Sequence, residues 1–254
     1  MTSSVLDQGS VTYAVADGIG TIRFHHPKSN SLPGALLRQL AATIETAGRD
    51  PAARVLIIRS EGAGPFCAGA SFDEFRAVTT AEEGQRFFSG FAGVINAMRE
   101  APKFVMVRVH GKAVGGGIGI TAAADYAYAL RGASIKLSEL AVGIGPFVVG
   151  PAIERRIGLA AFQQIAIDAT EWKTADWAHQ HGLYADVHDN TEALDACMGS
   201  LARRLAQSNP EAMAEMKKMF WHDTDHWREL LPARAAISGR LMLGEFTQRA
   251  LAAM

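Results

Sequence analysis

Three places in this chain have residue types and spacing that could do chemistry: Glu139, the segment Phe66-Cys67-Ala68-Gly69-Ala70, and the glycine run at 115–117. The run lies in the stretch 110–119, His-Gly-Lys-Ala-Val-Gly-Gly-Gly-Ile-Gly, between an apolar β-prone stretch and a helical run of small residues. Glycines at a helix start put no Cβ in the way of a ligand. They also leave unpaired N–H groups at the positive end of the helix dipole, where a developing anion is stabilised. The segment 66–70 follows a glycine turn and again allows close approach to its backbone. Two segments that each present an N–H are what an oxyanion hole requires. Glu139 is the lone acid of Lys136-Leu137-Ser138-Glu139-Leu140. A carboxylate in apolar surroundings has a raised pKa and can act as a base near neutral pH. The same acid could equally sit at the surface or cap a helix.

Other chemistries fit less well. Gly117-Ile118-Gly119-Ile120-Thr121-Ala122 matches the loose G-x-G-x-x-A dinucleotide pattern, but residues 110–114 separate it from the preceding strand. Cys67 has no histidine tied to it by pattern and reads as a small, partly buried filler. His222 and His226 have the i, i+4 spacing of a helical metal pair, with no third ligand evident. His25, His26, His179 and His181 fall at loops or helix ends and read as solvated. G-x-S-x-G and Walker A motifs are absent, so nothing points to serine hydrolysis or phosphoryl transfer.

The elements that must hold these groups follow from periodicity. Residues 11–16 and 19–25 alternate around Asp17-Gly18 as a hairpin. A loop at 26–31 leads to a helix from Pro33 to about Ala47, then to a buried strand at 55–58. Residues 81–100 carry a helical stripe of Phe87, Phe91, Val94, Ile95 and Met98, followed by a buried strand at 103–109. Short strands at 126–130 and 134–137 come next. Helices then continue almost unbroken from Pro151, interrupted near Gly158, Gly182 and Asn209-Pro210. This order predicts α/β layers with an added helical region.

The chain of 254 residues is 48% hydrophobic with a formal net charge of -1, enough for one large core and without the basic run that nucleic acid would call for. Cys67 and Cys197 are far apart and read as reduced thiols of a cytoplasmic protein. Residues 1–10 are polar, without a signal core, and no apolar run approaches the roughly 20 residues a membrane span needs, so a soluble protein is expected.

Together the motifs resemble the crotonase (enoyl-CoA hydratase/isomerase) family, from the hairpin to about Lys218. The resemblance is carried by Pro65-Phe-Cys-Ala-Gly-Ala70, by the block from Lys103 to Gly117, and by the block from Ile135 to Pro146. It implies a ββα spiral core over 1–200 and a C-terminal helical trimerisation region over 201–254. It also implies a homotrimer or homohexamer and an acyl-CoA thioester as substrate, with no cofactor beyond the coenzyme A that the substrate carries. Residue by residue, it puts the oxyanion-hole amides at Ala68 and Gly116, flanked by Gly69 and Gly117. It puts coenzyme A contacts at Lys28, Ser29 and Ser31, and the family's second acid at Glu139.

The family's first acid falls on Gly119. Hydration uses a water held between two carboxylates, whereas one base suffices to move a proton along an enolate. The resemblance therefore implies an isomerase-type proton shift at Glu139. Alternatives are a hydratase, decarboxylase or C–C hydrolase with another second group, and a non-catalytic homologue that binds CoA esters. Glycine at 119 is also expected to enlarge the pocket. The turn Gly145-Pro-Phe-Val-Val-Gly150 and the tail at 237–254 depart from the family pattern, which leaves the acyl group open.

Overall fold

The computed structural model describes residues 9–252. Most of the polar opening, and the last two residues of the tail, lie outside the described residues. The chain builds a six-stranded sheet in the order β1-β2-β3-β4-β6-β8. β1 (Ser10–Ala16) and β2 (Ile19–His25) form the expected antiparallel hairpin, and Asp17 (φ 51°) and Gly18 (φ 76°) make its two-residue turn. β3 (Val55–Ser60), β4 (Val105–Val109), β6 (Tyr126–Leu130) and β8 (Asp186–His188) then add in parallel. β4 is buried along its whole length, which is why it reads as an unbroken apolar run.

α1 (Gly34–Arg49) and α3 (Ala81–Glu100) pack against each other over one face of the sheet. Leu36, Leu37, Leu40 and Ile44 meet Phe91, Val94, Ile95 and Met98 in a shared core. α7 (Thr191–Ala206) covers Val55, Ile57, Met106 and Tyr128 through Leu194, Met198 and Ala202. α3 starts where it does because of a capping box: the Thr80 hydroxyl accepts from the Glu83 amide (3.2 Å) and the Glu83 carboxylate accepts from the Thr80 amide (3.3 Å). Thr80→Ala is expected to cost about 1 kcal/mol. A melting curve would register that as a fall of roughly 2–4 °C.

A second, smaller sheet organises the site. β5 (Ala113–Val114) pairs in parallel with β7 (Ile135–Lys136), and the bridge between Cys67 and Ala113 adds the segment 66–70 on the outer side of β5. β5 runs directly into α4 (Gly116–Ala122), and three residues after β7 stands Glu139. The three stretches singled out from sequence are thus neighbours in one ladder.

The rest of the described chain is α2 (Phe72–Ala77), a 3₁₀ turn at Leu140–Val142, α5 (Gly150–Ile167), α6 (Ala175–Gln180), α8 (Pro210–Phe220), α9 (Trp227–Leu241) and α10 (Glu245–Ala252). The α/β architecture with a helical C-terminal region is as expected. The division at residue 200 is not, because it falls inside α7. The later helices are also tied to the core. α9 packs along α3 at a point where a Cβ on Gly84 would lie 2.6 Å from the Gly239 Cα. Lys217 of α8 is buried and donates to the Met98 carbonyl (2.7 Å), the Lys103 carbonyl (2.9 Å) and Asp125 (2.8 Å). Among the described residues no helix is long and apolar enough to cross a membrane.

Candidate active site

An aromatic-walled pocket opens where the small sheet meets α2, α3 and the 3₁₀ turn, with a volume of about 720 Å³, open mouth included. Its floor is Ala68, Gly69, Ala70, Gly115, Gly116 and Glu139, and its walls include Phe75, Phe87, Phe91 and Phe147. The floor residues come from the three stretches singled out in the sequence. Phe87 and Phe91 of the helical stripe on α3 supply part of the wall.

Glu139 is the only carboxylate that lines this pocket among the described residues. One of its oxygens, Oε2, is shielded from solvent and has no hydrogen-bond partner among the described residues. The residue as a whole remains partly accessible, because it opens onto the pocket. Desolvation pushes its pKa up to about 7, only partly opposed by a backbone hydrogen bond. The other oxygen rests against Gly115, where a Cβ would lie 2.9 Å from Oε1. Gly115 has φ 51° and is held by its amide on the Lys136 carbonyl (3.1 Å), so both the bend and the close approach favour glycine there.

A carboxyl whose folded pKa is raised stays protonated in the folded state over a range where the unfolded chain has already ionised. Stability therefore falls as pH rises from about 4.5 to about 7, and is level above that. Relative to Glu139→Gln, the wild type is expected to lose roughly 1–3 kcal/mol across this window. Denaturant titrations of both proteins at pH 4.5 and pH 8 measure the difference.

Among the described residues the amide of Gly116, the first of α4, has no acceptor. A Cβ on Gly116 would lie 2.2 Å from the Phe91 ring, so only glycine fits between ring and pocket. Ala68 does not meet its expectation. Its amide donates to the Asn30 carbonyl at 3.3 Å. Gly69, at φ 91°, turns the chain, and beyond it the Leu32 amide donates to the Gly69 carbonyl (2.8 Å) and the Ser71 amide to the Leu32 carbonyl (3.0 Å). In this parallel pairing the Ala70 amide faces away from Leu32, and among the described residues it has no acceptor. Of the pocket-lining residues 68–70, Gly69 and Ala70 are the two whose amides have no acceptor among the described residues, and the pairing with Leu32 turns that of Ala70 to the other side of the segment.

Gly117 is also displaced from its expected place, because it packs on Cys67, whose Cβ would lie 2.8 Å from a Cβ there. Cys67 is fully buried and burial pushes its thiol up to about 12, which fits the filler reading. Glycine at 119 does not enlarge the pocket. A Cβ there would lie 2.6 Å from Cγ1 of Val149, so a side chain thirty residues away already occupies the space.

The loop 26–31 sits beside this segment. Lys28 is exposed and paired with Asp73, and Ser29 is exposed at φ 56°. The Ser31 hydroxyl donates to the Ala70 carbonyl (2.9 Å), so it fixes the floor of the pocket. Asn30, which sequence reasoning missed, is the buried anchor. Its side chain donates to the carbonyls of Glu61 (3.1 Å) and Pro65 (3.0 Å) and accepts from the His26 amide (2.7 Å). His26 itself is buried rather than solvated, and burial lowers its pKa. The helical reading of His222 and His226 also fails, because α8 ends at Phe220 and His226 caps α9.

A family model described as Enoyl-CoA hydratase/isomerase matches residues 14–248. The Bacillus subtilis (strain 168) protein named "Probable enoyl-CoA hydratase" is 25% identical over 214 residues, spanning 84% of this chain and 82% of that protein. The Rattus norvegicus "Methylglutaconyl-CoA hydratase, mitochondrial" is 31% identical over 192 residues, 74% of this chain but 60% of that protein. The crystal structure of enoyl-CoA hydratase from Bacillus halodurans superposes with a TM-score of 0.89, covering 96% of this chain and 99% of that one. At 18% identity that is a likeness of fold.

Proposed function

The chain belongs to the enoyl-CoA hydratase/isomerase (crotonase) family, and from that footing we propose that it moves a proton along the enolate of an acyl-CoA thioester, as an enoyl-CoA isomerase does. The observation that carries this reading is that Glu139 is the single carboxylate lining the pocket among the described residues, while the first-acid position is Gly119 with Val149 packed into the space.

The step balances without a second group or a water. The Glu139 carboxylate takes a proton from the α-carbon of a 3-enoyl thioester, and the electron pair delocalises onto the thioester oxygen. The amides of Ala70 and Gly116 hold that oxygen. Protonated Glu139 then returns the proton to the γ-carbon, and the double bond moves from 3,4 to 2,3. A pKa of about 7 suits both halves, since the carboxylate and the acid are each populated near neutrality. The aromatic wall matches an apolar acyl chain, and coenzyme A enters only as part of the substrate.

Assembly as a homotrimer or homohexamer belongs to the same proposal. It is supported by exposed apolar side chains on the last helices, Met219 (61%) and Phe246 (63%). The relatives' names favour a second reading, a hydratase with its second proton-transfer group elsewhere. A panel of 2-enoyl-, 3-enoyl- and branched acyl-CoAs separates the two when followed for α-deuterium exchange and water addition. Fast exchange and double-bond migration are expected. Fast addition of water across 2-enoyl-CoA would replace the isomerase reading with the hydratase one, and CoA-ester binding without exchange would leave a non-catalytic protein.

A further inference from the structure

We propose that Asp186, His188 and Cys197 form a binding site for a zinc-class divalent metal ion on the outer edge of the main sheet, separate from the pocket. Among the described residues β8 is the last strand and pairs only with β6, and Asp186 and His188 stand two residues apart on it, so their side chains share a face. α7 packs against β8 and brings Cys197 over that face. One donor atom from each residue lies within 4.8 Å of the other two. His188 Nε2 is 3.3 Å from Asp186 Oδ2, and Cys197 Sγ is 3.8 Å from the same oxygen. Zinc bonds of about 2.0–2.3 Å in a tetrahedron set ligand-to-ligand separations of about 3.3–3.8 Å. The spacing is that of a coordination edge.

The ring of His188 supplies an independent observation. Among the described residues its Nε2, shielded from solvent, has no hydrogen-bond partner, although Asp186 Oδ2 lies 3.3 Å away. An imidazole nitrogen left in this way incurs the cost of an unmade bond, which a metal ion between the two groups would remove. Tyr128 stacks on the ring (centroids 5.9 Å apart, planes 28° apart) and fixes its direction. Asp186 accepts from the Val187 amide through Oδ1 (2.9 Å), and its Oδ2 accepts from the Cys197 thiol (3.8 Å), so Oδ2 is the oxygen turned toward the other two donors and an ion would replace the thiol proton between them. The Asp186 side chain is 45% exposed, so an ion can reach the site and a water can complete the fourth position.

A nitrogen, a thiolate and one carboxylate oxygen suit a borderline-soft ion such as Zn²⁺. Mg²⁺ and Ca²⁺ call for oxygen ligands in larger number. On binding, the Cys197 thiol gives its proton to solvent and no oxidant is involved. The ion would clamp the edge strand to α7, across a strand of only three residues.

Titration of the metal-free 254-residue chain with Co²⁺ tests this. One ion per chain is expected, with a near-ultraviolet thiolate-to-cobalt charge-transfer band that Zn²⁺ displaces and Mg²⁺ does not. Cys197→Ser should abolish the band, and Asp186→Asn or His188→Gln should weaken binding at least about tenfold. In Cys67→Ser the band should persist. Zn²⁺ should also raise the melting temperature of wild type and leave that of His188→Gln unchanged. Absence of a saturable band in wild type, survival of the band in Cys197→Ser, or equal displacement by Mg²⁺ overturns the proposal.

Discussion

Glu139→Gln is expected to slow α-proton exchange on an acyl-CoA on the order of 10³-fold, with little change in KM. The amide keeps the shape of the carboxyl against Gly115 and takes away only its basicity. The wild-type rate should climb with pH and level off above about 7, because the carboxylate is the active form and desolvation sets its pKa there. Residual activity of the variant should lack that rise. Stopped-flow exchange between pH 5 and pH 9 measures both. An unchanged rate for the variant, or the same titration in the variant, would assign the proton transfer to another group.

Removing the Ala70 amide hydrogen should cost about 10²–10³-fold in rate, the loss of one oxyanion donor, equivalent to about 2.7–4 kcal/mol. Replacing the peptide N–H of Ala70 by an ester oxygen does this without touching a side chain. The same replacement at Ala68 breaks only the bond to the Asn30 carbonyl. It should cost about 1 kcal/mol of stability and leave the rate near wild type. If the ester at 68 is the damaging one, the donor assignment reverts to Ala68.

That contrast marks where sequence stops being informative. Residue types and the glycine turn locate the segment 66–70, but which amide faces the pocket depends on the left-handed turn at Gly69 and on pairing with Leu32, a contact with no local signature. The pocket volume at Gly119 has the same character. A missing side chain reads as space, and Val149 fills it from another part of the chain. Strongly periodic elements were legible, as α3 from Ala81 to Glu100 and the hairpin of β1 and β2 illustrate. The three-residue β8, buried in a run that reads as helical, was not, because its pairing with β6 outweighs local pattern. Glu139 was legible as a candidate because it is a lone acid. Only the structure separates a desolvated carboxyl in a pocket from a surface acid.

The central claim is proton transfer by one carboxylate with no water added. Its most direct test is to incubate the protein with a 3-enoyl-CoA in ¹⁸O-water and follow the acyl product by mass spectrometry. Formation of 2-enoyl-CoA without label, abolished by Glu139→Gln, is the predicted result. A labelled 3-hydroxyacyl-CoA formed as fast as the double bond moves would contradict it.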